Sequence, residues 1–373
     1  MNEITSTNRL TYLETARGIA SVIVVFHHFL LGFFPLLKTS VTQGGLAGTP
    51  LYVLVNGLGA VAFFFVLSGF VLTRKFYQKF LIQDLAASLL KRLPRLMLPA
   101  ALSVMIGAAI VIYYPEAHGA AAQLTGSDWL AAFAYAGFPK DFIPSFSDAA
   151  ANSLLVFLRP GHAYYNSNLW TMVYEFYGSL IVFAIVAISV ALFFSKHSSV
   201  ILIHIFLAVL FLVLPLMMYV PFVIGSLLAF LHSKRSMLFK LRPWSVAVLV
   251  LTMLAGYSFD SWYAIIIAST ATMILLLGIT SLEKKLSGPF GLFLGRLSFP
   301  LYLVHVLVIL SVTSAAYTVL TVQGVPLWGV LMLCLALTWA VSLLAALPFM
   351  ALESFWVTAL NRWSRALVRQ FVR

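Results

Sequence analysis

The chain has few charged residues and a single cysteine, and both shortages exclude broad classes of protein. Only 9% of its 373 residues are charged, whereas a soluble domain carries about 25%. Its one cysteine, Cys334, lies inside an apolar run, so no disulfide can form within the chain. Hydrophobic residues make up 62% of the sequence instead. This composition predicts an all-α, polytopic membrane protein.

Acidic residues are also scarce, and the resulting positive charge is distributed as in a membrane protein. The chain has 23 Lys and Arg against 11 Asp and Glu, which gives a net charge of +12. The basic residues cluster in short segments between apolar runs, where they determine which side faces the cytoplasm. We therefore expect contact with membrane lipids and no binding to nucleic acid. No cleavable signal peptide is expected, because the first apolar run is too long and no small-residue cleavage site follows it.

Hydropathy predicts about ten transmembrane helices with both termini in the cytoplasm. In that orientation the basic segments after the even-numbered spans all face the cytoplasm, which supports the count. The predicted spans are residues 12–31, 51–73, 93–114, 168–194, 199–214, 216–232, 243–258, 261–281, 297–318 and 327–353.

Residues 1–373 are expected to form one membrane domain, with a basic cytoplasmic tail over residues 354–373. The one long extracytoplasmic segment, residues 115–167, is rich in aromatic side chains. Such residues can form an interfacial belt, or a lid or platform for a sugar. A short interfacial helix is predicted over residues 152–158.

Arg17 and His28 lie eleven positions apart in the first predicted span. At about 100° per residue, eleven steps return to within about 20° of the starting face, roughly 16 Å further along the helix. Ionisable groups inside a membrane are costly and are functional candidates by default. His28 is suited to be a general base, although a buried histidine can also be a structural hydrogen-bonding group. Its neighbour His27 points about 100° away and is assigned to packing.

Arg92 and Arg95 open the third predicted span from the cytoplasmic side. Two arginines three residues apart share a helix face and can bind phosphate. Ordinary membrane anchors have the same pattern, but Arg17 is expected at the same depth, which favours a shared site. At the cytoplasmic end of the tenth span, Glu353 is expected to pair with an arginine.

Glu175 lies about seven residues, roughly 10 Å, inside the outer surface in the fourth span. A carboxylate at that depth must be paired, protonated or in contact with water. Because His28 lies at a comparable depth, a Glu175–His28 pair is a reasonable hypothesis. Trp170, in the same motif, is either an interface anchor or part of a pocket lining.

Three further residues are candidates for a pocket wall. Ser68 forms a small Ser-Gly pair with Gly69 in the second span, which suits either close helix packing or a pocket. Tyr302 and His305 share one helix face with Ser298 in the ninth span. His305 is predicted near mid-membrane, where a structural and a site role are equally plausible.

Taken together, these segments resemble the acyltransferase-3 family of integral membrane acyltransferases. The resemblance covers almost the whole chain in the right order. It rests on an arginine and a histidine separated by ten residues (Arg17 and His28), on FFFVLSGF, on the Arg92–Arg95 pair, on LWTMVYEFYG and on LGRLSFPLYLVH. One departure is Glu14, where many members have aspartate.

The resemblance implies an O-acyltransferase that needs no metal. Its donor would be cytoplasmic acyl-CoA, with acetyl-CoA as the default, and its acceptor a hydroxyl of a cell-surface or lipid-linked glycan in a bacterial inner membrane. Many relatives carry an extracytoplasmic hydrolase-like domain that is not found here, so a second transfer step would need a separate partner protein.

On this hypothesis each candidate residue has a role. His28 is the catalytic base and Glu175 assists it, while a pocket surrounds them. Arg17, Arg92 and Arg95 bind the CoA phosphates, and Ser68, Trp170, Tyr302 and His305 contribute to the pocket. The alternative is a proton-coupled secondary transporter of a glycan precursor or small solute, which intramembrane His and Glu would also suit. Against it, the two halves of the chain show no corresponding pair of interrupted helices.

Overall fold

The computed structural model describes residues 10–133, 137–139, 141–193, 197–234 and 236–371. Within these ranges the chain is almost entirely helical and contains no β-strand, which confirms the predicted all-α class. The helices are α1 (Thr11–Phe33), α2 (Gly57–Gln78), α3 (Ile82–Tyr113), α4 (Glu116–Thr125), α5 (Asp128–Ala131), α6 (Phe146–Leu158), α7 (Met172–Phe193), α8 (His197–Val213), α9 (Val220–Lys234), α10 (Pro243–Tyr257), α11 (Trp262–Gly278), α12 (Thr280–Leu286), α13 (Pro289–Val308), α14 (Ser314–Val322) and α15 (Leu327–Phe371).

Among the described residues, 7 helices are long and apolar enough to cross a membrane, or up to 8 if the bent pair α11–α12 is one span. The protein is therefore a polytopic membrane protein. Each of the ten predicted spans overlaps a helix, but α8 and α10 are too short to qualify by length. The count of ten and the cytoplasmic placement of both termini thus stay predictions.

Several helix boundaries differ from the predicted ones, among them the start of α13, at Pro289 instead of residue 297. The second span was predicted from residue 51, but α2 begins at Gly57, where the Asn56 side chain caps it by accepting the Gly59 N–H at 2.7 Å. Helix α3 begins well before residue 93, and α15 runs well past residue 353. These extra turns pack together, because Lys91 Nζ donates to Asn361 Oδ1 at 2.8 Å and Trp356 Nε1 donates to the Pro94 carbonyl at 2.8 Å. Hydropathy misses such turns because they are partly polar.

Helix α1 lies in the middle of the fold, in contact with α13 on one side and α2 on the other. Three apolar clusters meet along it. The first contains residues of α1, α2, α7 and α9, the second contains Val25 of α1 with residues of α3, α6 and α13, and the third contains Phe29 and Phe33 near the end of α1. The helix that carries Arg17 and His28 is thus held on both flanks, so side chains on it keep a fixed position relative to the neighbouring helices.

Helices α2 and α9 approach each other so closely that their backbones touch at two glycines. A Cβ on Gly69 would lie 2.1 Å from the Phe222 carbonyl oxygen, and a Cβ on Gly225 would lie 2.0 Å from the Val66 carbonyl oxygen. Neither carbonyl can move without shifting a helix. In the Ser68–Gly69 pair, Gly69 therefore lies in the helix interface and Ser68 lies in a cavity wall.

Replacing Gly69 with alanine should lower stability by about 1–3 kcal/mol, the usual cost of overpacking a tight contact. The measurement is the thermal unfolding midpoint of the purified protein in detergent. Gly119→Ala is the matched control, because Gly119 also lies in a helix and a Cβ there meets nothing within 4 Å. Equal midpoints for the two variants would contradict the close α2–α9 packing.

Candidate active site

A single cavity of about 330 Å³ collects most of the predicted site residues. It follows α1 from Leu13 to His28, about 22 Å of helix. Helices α2, α3, α7, α13 and α15 complete its wall. Eight of the nine predicted site residues line it, namely Arg17, His28, Ser68, Arg92, Arg95, Trp170, Glu175 and Tyr302.

Each of the three arginines that the sequence assigns to the site is paired with a carboxylate. Arg17 Nη2 lies 2.9 Å from Glu14 Oε2, and Arg95 Nη2 lies 3.8 Å from Glu353 Oε1, which confirms the expected pairing of Glu353. The third arginine, Arg92, contacts Glu175 through Nη2 and Oε1 at 2.5 Å. The three pairs are electrically balanced, so an anionic ligand would have to compete with a carboxylate at each arginine.

Glu175 does not pair with His28, so that prediction is wrong. Its Oε1 atom binds Arg92 and also accepts a hydrogen bond from Ser68 Oγ at 2.7 Å. Arg92 is only 7% exposed, and a buried guanidinium requires a nearby negative charge. The prediction used only the depth of each residue along its helix. Depth indicates which side chains lie at the same level in the membrane, but it does not determine which neighbour the carboxylate faces.

The His28 side chain contacts the side chains of His305 and Trp129. His28 Nδ1 lies 3.0 Å from His305 Nε2. The His28 ring also stacks on Trp129, with centroids 5.4 Å apart and an interplanar angle of 24°. His305, the ninth predicted site residue, is fully buried behind His28 and is absent from the cavity wall.

The turn between α4 and α5 explains the position of Trp129. Ser127 caps the short helix α5 by accepting the Leu130 N–H at 3.2 Å, and its hydroxyl donates to the Leu31 carbonyl at 2.6 Å. The start of α5 is thereby attached to the end of α1. The sequence indicated an aromatic segment here that includes Trp129, but not its contact with His28, and the stacking of Trp129 on His28 favours a lid over a simple interfacial belt. The predicted helix at residues 152–158 is the second half of α6.

Helix α13 holds Arg17 and contributes polar groups to the cavity. Arg17 Nε donates to Ser298 Oγ at 2.9 Å, and Arg17 Nη2 donates to the Gly295 carbonyl at 2.7 Å. Tyr302 Oη lies 2.8 Å from Thr171 Oγ1 and donates to the Asn168 carbonyl. Asn168 and Thr171, to which the sequence analysis assigned no role, both line the cavity; Asn168 directly precedes the motif that begins at Leu169, and Thr171 is its third residue.

His27 is absent from the cavity wall, in agreement with its assignment to packing. It is 8% exposed, and its Nδ1 lies 3.0 Å from the Gly57 amide nitrogen and 2.9 Å from Lys38 Nζ. Lys38 follows the membrane helix, and burial lowers the pKa of its amine to about 8, an effect that the Asp260 carboxylate opposes. These contacts connect the end of α1 to the segment before α2.

In the part of the chain that the structure describes, no three His, Cys, Asp or Glu side chains are grouped so that they could hold a metal ion. The cavity is therefore best described by its charge pairs and by the His28 imidazole.

Comparison with known proteins gives one match. A family model described as an acyltransferase domain matches residues 10–345, which include all nine predicted site residues. No curated protein and no solved structure matches the chain.

Proposed function

Because the chain belongs to the acyltransferase-3 family and is a membrane O-acyltransferase, we propose that its donor is cytoplasmic acyl-CoA and that its acceptor is a glycan hydroxyl. Acetyl is the default acyl group, and the glycan is at the cell surface or lipid-linked. The whole chain acts as one membrane domain in a bacterial inner membrane. The observation that carries this proposal is that one cavity along α1 connects Arg17, Arg92 and Arg95 with His28.

The dimensions of the cavity suit a CoA thioester. CoA has phosphates at one end and the thioester at the end of a long pantetheine arm. Arg17 and His28 are separated by about 16 Å along α1. Arg17, Arg92 and Arg95 bind the phosphates, and the arm extends toward His28. Each phosphate contact replaces a contact to Glu14, Glu175 or Glu353, so donor binding exchanges one set of ion pairs for another.

His28 is the general base of the reaction. Its imidazole takes the proton of the acceptor hydroxyl while the oxygen attacks the thioester carbonyl. The C–S bond then breaks, and the proton passes from His28 to the CoA sulfur. Positioned acid–base groups typically contribute about 10²–10⁴-fold to the rate. Ser68, Trp170 and Tyr302 form the wall around the reacting atoms, and Trp129 shields His28 from water.

The first test measures donor binding and turnover. Purified protein should bind CoA in a thermal-shift assay and release CoA from acetyl-CoA when an acceptor glycan is present. Arg17→Gln should raise the KM for acetyl-CoA, because a phosphate contact is lost. The control is Arg362→Gln, which lies on α15 outside the cavity wall.

Absence of both CoA binding and CoA release in folded wild-type protein would refute acyl-CoA as the donor. This result would favour the alternative of a secondary transporter, since a solute carrier has no need to bind CoA. Any second transfer step outside the membrane is assigned to a separate partner protein.

A further inference from the structure

The proton of the His305 ring can be assigned from its surroundings. His305 is 0% exposed, and its Nδ1 lies 2.8 Å from the Leu301 carbonyl oxygen, one turn earlier in α13. A carbonyl oxygen can only accept a hydrogen bond, so Nδ1 carries the proton. In a neutral imidazole the other nitrogen, Nε2, then carries a lone pair, and the His28 Nδ1 atom at 3.0 Å is a closer donor to it than Asn168 Nδ2 at 3.5 Å.

That lone pair faces the catalytic residue. His305 Nε2 lies 3.0 Å from His28 Nδ1, so His28 must donate a proton from Nδ1 to complete the hydrogen bond. His28 Nε2 is then the unprotonated nitrogen. None of the hydrogen bonds found among the described residues involves His28 Nε2, whereas His28 itself lines the cavity.

We infer that His305 is the positioning residue of the acyl transfer, fixing His28 in the tautomer whose Nε2 is free to act as the base. This inference rests on the proposed function of His28. The Leu301 carbonyl holds His305, His305 holds His28, and His28 receives the acceptor proton on Nε2. The other ionisable groups nearby are His27, with ring centroids 5.2 Å apart, and Lys38, which contacts His27.

The orienting group is a neutral imidazole, whereas many catalytic histidines are oriented by a carboxylate. His305 can accept the Nδ1 proton of His28, but it brings no negative charge. His305 therefore does not pass on the proton that His28 takes up. This proton leaves His28 from Nε2, the nitrogen that received it, and moves to the CoA sulfur. The expected contribution of His305 is thus orientation and tautomer choice.

The tautomer is measured in the wild-type protein. Nitrogen NMR of the purified protein, labelled with ¹⁵N-histidine, should show His28 protonated at Nδ1 and unprotonated at Nε2. Comparison with the His28→Ala spectrum assigns the signals. A wild-type spectrum with the proton of His28 on Nε2 would overturn the inference.

Three variants test the functional consequence. His305→Gln can place an amide oxygen near the former Nε2, whereas His305→Asn reaches only about as far as Nδ1 and His305→Leu offers no acceptor. Replacing groups that orient histidine in metal sites costs about 10–100-fold, and a similar loss of kcat is expected for His305→Leu and His305→Asn. His305→Gln should recover part of this loss, and the KM for acetyl-CoA should be unchanged in all three.

The KM separates a positioning role from a structural one, because a distorted cavity would weaken donor binding as well. Unchanged kcat in His305→Leu would refute the inference while leaving His28 as the base. Absence of acyl transfer by the wild-type protein would instead refute the proposed function, and the tautomer of His28 would still be settled by NMR.

Discussion

Replacing His28 with alanine should reduce acyl transfer by about 10²–10⁴-fold while the protein still binds CoA. The variant removes the imidazole that takes the acceptor proton and leaves the cavity arginines in place. The loss should therefore appear in kcat, with little change in the dissociation constant for CoA. Transfer is measured as acceptor-dependent release of CoA from acetyl-CoA, and binding is measured by thermal shift in the absence of acceptor.

His162→Ala is the matched control for this experiment. His162 lies outside the cavity wall, and its Nδ1 contacts only the Pro160 carbonyl at 3.1 Å, so its loss should leave kcat unchanged. Wild-type transfer by His28→Ala would show that another group is the base. Loss of CoA binding in His28→Ala would mean that the histidine mainly shapes the cavity.

The buried Arg92–Glu175 pair should be the most sensitive electrostatic contact for stability. Arg92→Met leaves the Glu175 carboxylate buried without its counter-ion, which typically costs about 3–5 kcal/mol. The two side chains are only 8% and 14% exposed, so water cannot replace the lost partner. The thermal unfolding midpoint of the ligand-free protein in detergent should therefore fall sharply.

Two further variants separate the charge effect from the loss of packing. In the double variant Arg92→Met, Glu175→Met no unpaired charge remains, so much of the stability should return. Arg95→Met breaks the longer and more exposed Arg95–Glu353 pair, at 3.8 Å with 39% and 20% exposure, and should cost only about 0–1 kcal/mol. A double variant that is less stable than Arg92→Met would show that packing, and not charge, is the main contribution.

Much of the site could be predicted because it follows from spacing along single helices. The eleven-residue interval between Arg17 and His28 places both on one face of α1, and the structure confirms that both line one cavity. The three-residue interval between Arg92 and Arg95 likewise brings both to that cavity. Rigid helical periodicity makes such inferences reliable, since it does not depend on how the helices pack.

Contacts between helices were harder to predict, because they depend on rotation about each helix axis. Glu175 was expected to face His28, but it faces Arg92 and Ser68. His305 was predicted on the face of Ser298 and Tyr302, but it lies behind His28 while the other two line the cavity. The position of Trp129 depends on a turn attached to α1 by the Ser127 hydroxyl, which no local pattern reveals.

The position of Trp129 affects how acyltransferases with this arrangement can change their acceptor preference. It reaches His28 from the outer segment over residues 115–167, whereas the arginines, the carboxylates and His28 itself are on membrane helices. Exposed connecting segments accept substitutions more readily than packed helices do. Changes confined to that segment would alter which acceptor approaches His28 and would leave binding of the donor unchanged. On the proposed function, a new acceptor preference would thus arise through one stretch of chain, without redesign of the chemistry beneath it.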